Sequence, residues 1–451
     1  MQLTTEKKSF WLQGISIEKR NKALKLVRDI AEQLKDPMYV EKIVMEPDNI
    51  PNGGTLHPWD PITLSHGYPG TIMLFAELDR QFPKEGWDLI AHSHLVEIQK
   101  AIEKQGVNSI SMFGGVSGIA YATSYASRNY ERYHIFLQKL NEFVLSQLHL
   151  VLNYGKEECG VHPFMYDTIQ GATGVGRYLL QNIQLESNLE ALKQILNCFI
   201  NMSNDIEVNG EVLPGWYVPY TNQFLETDKI LFPDGNFNCG HAHGMPGPLS
   251  LMALAIEQGI EVPGQKQAIR KMIDWLIKWQ DEGSWPARLS FKEVVNDQSY
   301  HVYPKRKGWC YGNPGVARAL YLAGRSLKDQ KAMKIALSSY QDTLLQSEEE
   351  WDLSSPTFCH GRAGLLQMSI RMAKDEGGEI SMQSITKLID YVMDAYDPQA
   401  PFGFKDLQSN EQTSNELNKV GLLEGVSGVL LTLLSLSAVE EPWWDGVFLI
   451  S

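Results

Sequence analysis

The sequence of 451 residues lacks the makings of a disulfide framework: its five cysteines, Cys159, Cys198, Cys239, Cys310 and Cys359, are an odd number scattered along a large chain. That usage points to a reducing compartment. No apolar segment marks a secretory signal in the opening Met-Gln-Leu-Thr-Thr-Glu-Lys-Lys. Nor does any run reach the ~18 to 20 apolar residues of a membrane span. The nearest, Val426 to Val439, is interrupted by Ser and Thr. Basic excess is missing too, since 40 Lys and Arg stand against 54 Asp and Glu for a net charge of −14, which disfavours nucleic acid as a partner. What remains is the expectation of a soluble cytoplasmic globular protein.

What the chain does have is one short phrase used seven times: Gly67-Tyr68-Pro69-Gly70, Gly115-Val116-Ser117-Gly118, Gly171-Ala172-Thr173-Gly174, Gly244-Met245-Pro246-Gly247, Gly312-Asn313-Pro314-Gly315, Gly361-Arg362-Ala363-Gly364 and Gly425-Val426-Ser427-Gly428. An apolar run follows each copy. Pro is pre-organised for a first helical position, Ser and Thr cap orphan amides, and Gly lets the entering backbone pack closely, so each phrase predicts a helix start. Between these apolar helices lie amphipathic ones, the clearest over 135–151, 189–202, 269–279, 332–345 and 385–396. A further amphipathic helix is expected over 24–35, and irregular chain over 36–62.

An apolar inner set and an amphipathic outer set predict an all-α protein, an α/α toroid of seven inner and about seven outer helices, using residues 1–451 as a single domain. Spacings of 48, 56, 73, 68, 49 and 64 residues between successive first glycines put the extra length in loops, near 204–240, 282–308 and 397–422. These loops precede glycine phrases and are expected to build the substrate groove. Trp216, Tyr217, Tyr220, Phe224, Trp285, Tyr300 and Tyr303 lie in two of them, read first as aromatics that pin loops and second as peptide contacts.

The residues immediately before the first glycines are His66, Gly114, Gln170, His243, Tyr311, His360 and Glu424, with Cys310 and Cys359 one place further back. Parallel inner helices would gather these side chains at one end of the ring. Cys310 and the Cys359-His360 pair hold the same place in consecutive repeats. Two thiolates and an imidazole suit zinc, and three protein ligands leave a fourth tetrahedral position open. Cys159, Cys198 and Cys239 are read as structural.

The glycine phrases, Trp309-Cys310-Tyr311-Gly312, Cys359-His360-Gly361 and Ala242-His243-Gly244 together resemble the lanthionine synthetase C-like family, and within it the stand-alone lanthipeptide (lantibiotic) cyclases. The resemblance covers essentially the whole chain. It implies an α/α toroid and one Zn²⁺ per chain on Cys310, Cys359 and His360. It also implies addition of peptide Cys thiols to dehydroalanine or dehydrobutyrine, giving thioether rings. By the same resemblance His243 is the acid/base residue, Asp167 its orienting aspartate, Arg306 a charge-stabilising or peptide-holding group, and Tyr311 the tyrosine after the metal cysteine. The implied partners are a dehydrated precursor peptide of leader and core, a dehydratase and a membrane exporter, through which the protein would associate peripherally with the membrane. His241 is a nearby rival to His243, but only His243 directly precedes a glycine. His66 and Glu424 are read as structural. A relative that adds glutathione to dehydroamino acids would carry the same metal site. A non-catalytic peptide-binding module would not need an intact Cys-Cys-His set, and a toroidal glycosidase would need a carboxylate pair where this chain offers mainly Cys and His.

Overall fold

The structure is a computed structural model that describes residues 10–51, 58–155, 159–298, 306–376, 380–409 and 414–451. Among these the chain is mostly helical, with nineteen α-helices. Each glycine phrase opens one. Gly67, Gly115, Gly171, Gly312 and Gly425 are the capping residues themselves, while Arg362–Glu376 begins directly after Gly361 and Pro246–Glu257 one residue after Gly244-Met245.

The chain forms two compact units. The first takes in the described parts of 1–109, 113–141 and 353–445. In it the apolar helices Arg362–Glu376, Val426–Ser435, Tyr68–Gln81 and Val116–Tyr125 pack side by side in that order. Amphipathic helices back three of them: Met382–Met393 behind the first, Ile17–Gln33 behind the second and Trp87–Gln105 behind the third. The N-terminal helix thus supports the last apolar one. The second unit, 110–112, 142–352 and 446–451, sets Ala172–Gln181, Pro246–Glu257 and Asn313–Leu327 side by side. Behind them stand Glu186–Ser203, Gln265–Lys278 and Gln330–Leu345.

Burial separates the two helix classes. Every residue of Val116–Tyr125 and of Val426–Ser435 is buried, as expected of a helix apolar all round. Val429, Leu430, Leu431, Leu433 and Leu434 are fully enclosed, each worth about 1.5–3 kcal/mol of hydrophobic burial. In His134–Leu152 only a stripe is buried, including Leu137, Leu140, Val144 and Leu148.

The segment 446–451 is a peg in the second unit. Val447, Phe448, Leu449 and Ile450 are fully buried. The Phe448 carbonyl accepts from Trp309 Nε1 at 3.0 Å and lies 3.1 Å from His241 Nε2, while Arg318 Nε donates to the Ile450 carbonyl at 2.9 Å.

Two expectations need correction, and one needs an addition. The first helix begins at Ile17, capped by the Ser16 hydroxyl, seven residues before the expected Leu24. Residues 37–44, expected to be irregular, form the helix Pro37–Val44, because Asp36 caps it and Pro37 fits its first turn. The mostly helical chain also carries three short strand pairs that the sequence reading did not include. Asp205–Val208 pairs with Glu211–Pro214, Asn236–Asn238 with Arg288–Ser290, and Asp406–Ser409 with Ser414–Leu417, all antiparallel and all within the three long insertions. The first is a hairpin whose turn, Asn209-Gly210, has positive φ at both residues (55° and 84°), the signal of a two-residue I′ turn.

Candidate active site

The loops before the apolar helices are sewn to one another by single backbone hydrogen bonds. In the second unit Thr168 N–H donates to the Ala242 carbonyl at 3.0 Å and Ala242 N–H to the Cys310 carbonyl at 3.4 Å. In the first, Cys359 donates to Leu423, Leu422 to Leu64 and Ser65 to Phe113, at 2.9, 2.9 and 3.1 Å. The residues preceding successive glycine phrases therefore stand next to one another within each unit. Gly315 makes one such approach possible, for a Cβ there would strike the Trp309 carbonyl and sit 3.1 Å from His241 Cβ. Gly312, at φ 128°, supplies the backbone turn directly after Cys310 and Tyr311.

Asp167 and His243 meet across two of these loops. His243 Nδ1 lies 2.7 Å from Asp167 Oδ2, with the carboxylate 1% exposed and the imidazole 24% exposed. A carboxylate only accepts, so Nδ1 carries hydrogen and Nε2 is the nitrogen with a lone pair. Asp167 Oδ1 meanwhile accepts from Gln170 N–H at 2.6 Å and Gly171 N–H at 2.7 Å. The side chain thus holds the backbone leading into the helix Ala172–Gln181 as well as partnering the histidine. Tyr166 Oη donates to the His243 carbonyl at 3.0 Å, and the Phe224 ring leans on the imidazole at 5.4 Å. His241 is fully buried, with both nitrogens turned to carbonyls, Gly315 and Phe448, at 3.1 Å each. Burial pushes its pKa down to about 4. It is packed as scaffold.

Tyr311 lies 6.3 Å from His243, ring to ring. Its hydroxyl accepts from Asn238 Nδ2 at 3.0 Å and from Arg288 Nη2 at 3.2 Å. Burial pushes its pKa up to about 12 in spite of the Arg288 guanidinium, which lies 5.1 Å over the ring and pairs with Asp228 at 2.8 Å. The sequence gives no sign of Arg288 or Asn238. They reach Tyr311 through the pairing of Asn236–Asn238 with Arg288–Ser290, a long-range register. Arg306 is half-buried on the stretch leading to Cys310.

One ligand atom each from Cys310, Cys359 and His360 lie within 4.8 Å of one another, close enough to share an ion. Two sulfurs and one imidazole nitrogen are a donor set that fits zinc and leaves one tetrahedral position to a further ligand. Cys359 is 8% exposed, and Cys310 half-buried.

His360 has acidic neighbours on both sides. Its Nδ1 is 3.8 Å from Glu424 Oε1 and its Nε2 3.8 Å from Asp406 Oδ1. Lys419, 5% exposed, ties the two carboxylates together, with Nζ 2.7 Å from Glu424 Oε2 and 2.9 Å from Asp406 Oδ2. Burial works against every charge here. The two carboxylates nonetheless hold the Lys419 ammonium above its usual pKa, and His66, Lys419 and His360 hold the Glu424 carboxyl well below the carboxylate range. His66 Nε2 stands 3.9 Å from Glu424. Among the loop aromatics, Trp216, Tyr217 and Trp285 are buried pins, whereas Tyr220 and Phe224 remain 47% and 42% exposed. Tyr300 and Tyr303 lie outside the described residues. Cys239 is buried, Cys198 half-buried and Cys159 exposed. No described helix is long and apolar enough to cross a membrane.

Known proteins resemble this chain in sequence and in fold. Nisin biosynthesis protein NisC of Lactococcus lactis subsp. lactis is 27% identical over 406 residues, spanning 86% of this chain and 89% of NisC. A solved structure of nisin cyclase superposes with a TM-score of 0.75 at 22% identity, over 95% of this chain and 98% of that one, a likeness of fold. The sequence pattern of the lanthionine synthetase C-like proteins matches residues 58–449, so this chain, with its glycine phrases and its Cys-Cys-His cluster, belongs to the lanthionine synthetase C-like family.

Proposed function

We propose that the protein is a zinc-dependent lanthipeptide cyclase, which adds precursor-peptide Cys thiols to dehydroalanine or dehydrobutyrine to close (methyl)lanthionine rings. The observation that carries this reading is the convergence of Cys310, Cys359 and His360 within 4.8 Å. Family membership and the relative named for nisin biosynthesis support it. In the same reading the helices close into one α/α toroid across residues 1–451. The protein works in the cytoplasm on a dehydrated precursor peptide, beside a dehydratase and a membrane exporter. A leader segment held by the long loops would tether the core peptide at high effective concentration, so that removing the leader weakens binding and slows ring formation.

Zinc, one ion per chain on Cys310, Cys359 and His360, would supply a Lewis acid that keeps a thiol of ordinary pKa about 8.5 in its thiolate form. In the addition the substrate sulfur bonds to the β-carbon of the dehydroamino acid, the π electrons move onto the adjacent carbonyl as an enolate, and a proton ends on the α-carbon. Nothing leaves, and peptide mass is unchanged. His243 suits the proton's path, because Asp167 occupies Nδ1 and leaves Nε2 for exchange with substrate. The Tyr311 hydroxyl stays neutral and accepts two hydrogen bonds, so its own hydrogen is available to an enolate oxygen. Arg306 is assigned to enolate charge or to the peptide backbone.

The test is incubation of the zinc-loaded protein with a dehydrated precursor peptide, counting free thiols by alkylation and mass spectrometry. Loss of alkylatable thiols at constant peptide mass is expected. Addition of free glutathione to the dehydroamino acids, with peptide thiols untouched, would replace this reading with that of a small-thiol transferase.

A further inference from the structure

Beside the metal ligand His360 lies a buried charged cluster, Lys419, Asp406 and Glu424, that the proposed chemistry does not use. Each carboxylate addresses a different ring nitrogen: Glu424 Oε1 stands 3.8 Å from Nδ1 and Asp406 Oδ1 3.8 Å from Nε2. The other oxygen of each is taken by the same ammonium, Lys419 Nζ, at 2.7 and 2.9 Å. Asp406 is fully enclosed and further fixed at Oδ1 by the Ser355 hydroxyl at 2.8 Å and at Oδ2 by the Gln408 amide at 2.9 Å. The imidazole is itself only 15% exposed.

Such an arrangement is costly unless it has work to do, because two carboxylates and one ammonium taken out of water leave one negative charge without a cationic partner in the cluster. That charge faces the His360 imidazole and, on the Glu424 side, His66 Nε2 at 3.9 Å. A histidine that binds a metal through one nitrogen carries hydrogen on the other, and a carboxylate facing that N–H fixes the ring plane and the tautomer and makes the ligating nitrogen a better donor. Whichever nitrogen takes the metal, this structure holds an anionic oxygen on the opposite side of the ring. Lys419 sets the separation of the two carboxylates, so neither can swing away alone.

We infer that Asp406 and Glu424, braced by Lys419, are positioning residues for His360, holding its imidazole in the orientation that binds metal. The inference rests on the metal reading above and extends it to residues on the last long insertion and the last glycine phrase.

The experiment measures zinc affinity of the full chain by competition with a chromophoric chelator, for the wild type, Asp406→Asn, Glu424→Gln and Glu416→Gln. Glu416 is a control on the same hairpin as Asp406, 61% exposed and paired with Lys405. Loss of such an outer partner typically weakens metal binding about 10- to 100-fold, and that loss is expected for Asp406→Asn and Glu424→Gln but not for Glu416→Gln. Absorption of the Co²⁺-substituted proteins gives a second readout, since a misoriented imidazole alters the visible bands while a merely structural defect elsewhere leaves them in place. If one variant does not fold, the other still decides. A wild type that binds zinc, with both variants binding it as tightly and with unaltered cobalt spectra, would overturn the inference alone. A wild type that retains no zinc overturns the metal reading and the inference together.

Discussion

Asp167 grips His243 with one carboxylate oxygen and, with the other, accepts from the Gln170 and Gly171 backbone amides that lead into the helix Ala172–Gln181. The two roles separate by substitution. Asp167→Asn keeps an oxygen for the Gly171 N–H but withdraws the charge from the imidazole, so cyclisation is expected to fall by about 10²- to 10⁴-fold with little change in stability. Asp167→Ala should lose activity and also about 1–3 kcal/mol of stability, because the buried Gly171 amide loses its acceptor. Urea unfolding and thiol counting on both variants check this, and equal stability losses would show that the Gln170 and Gly171 amides are not held as described.

His243→Ala should retain zinc and fold, yet cyclise about 10²- to 10⁴-fold more slowly. Cys310→Ala and Cys359→Ala should lose metal and activity together while keeping the helical far-ultraviolet spectrum, because the core is built from helix pairs. Elemental analysis and turnover on the same preparations separate the two classes. Full zinc in either cysteine variant would remove that ligand, and a zinc-free His243→Ala would make His243 a ligand.

Two buried histidines, His94 in the first unit and His241 in the second, are pushed down to about 4 by burial. The unfolded chain takes up their protons below about pH 6.5, whereas the folded chain does not until about pH 4. Stability is therefore full above the higher value and declines between the two, by up to about 1.4 kcal/mol per pH unit for each histidine. Thermal midpoints measured across this window should fall with acidity, and His94→Gln and His241→Gln should each flatten the decline. An unchanged slope in both would remove them as its cause.

Gly315→Ala places a methyl group against the Trp309 carbonyl and His241. Backbone has little room to give, so a loss of about 1–3 kcal/mol is expected, with lowered zinc retention because Cys310 sits on the displaced stretch. A wild-type urea midpoint would contradict the close approach.

Most of the helical frame is legible in the sequence, because a helix announces itself through a 3.6-residue period and through the residues that start it. The Cys-Cys-His cluster is legible for a related reason: equivalent places in a repeat become neighbours, and Cys310, Cys359 and His360 occupy such places. Arg288 and Asn238 escape, since only strand pairing between two distant insertions carries them to Tyr311. Asp406 and Lys419 escape likewise, being isolated charges in a stretch with no motif. Asn209-Gly210 is different: its turn signal is local and readable, but it is easily passed over in a chain dominated by helices.

The peg formed by residues 446–451 has a consequence for synthesis. Helices Ala172–Gln181, Pro246–Glu257 and Asn313–Leu327 leave the ribosome well before Phe448 and Ile450 exist, yet Trp309, His241 and Arg318 among and beside them direct their nitrogens at those two carbonyls. Until translation reaches the end of this stretch, the second unit lacks the Phe448 and Ile450 carbonyls that Trp309, His241 and Arg318 address. Nascent chains stalled before residue 446 should thus be open to proteases and chaperones in that unit, and emergence of residues 446–451 should close it in one step.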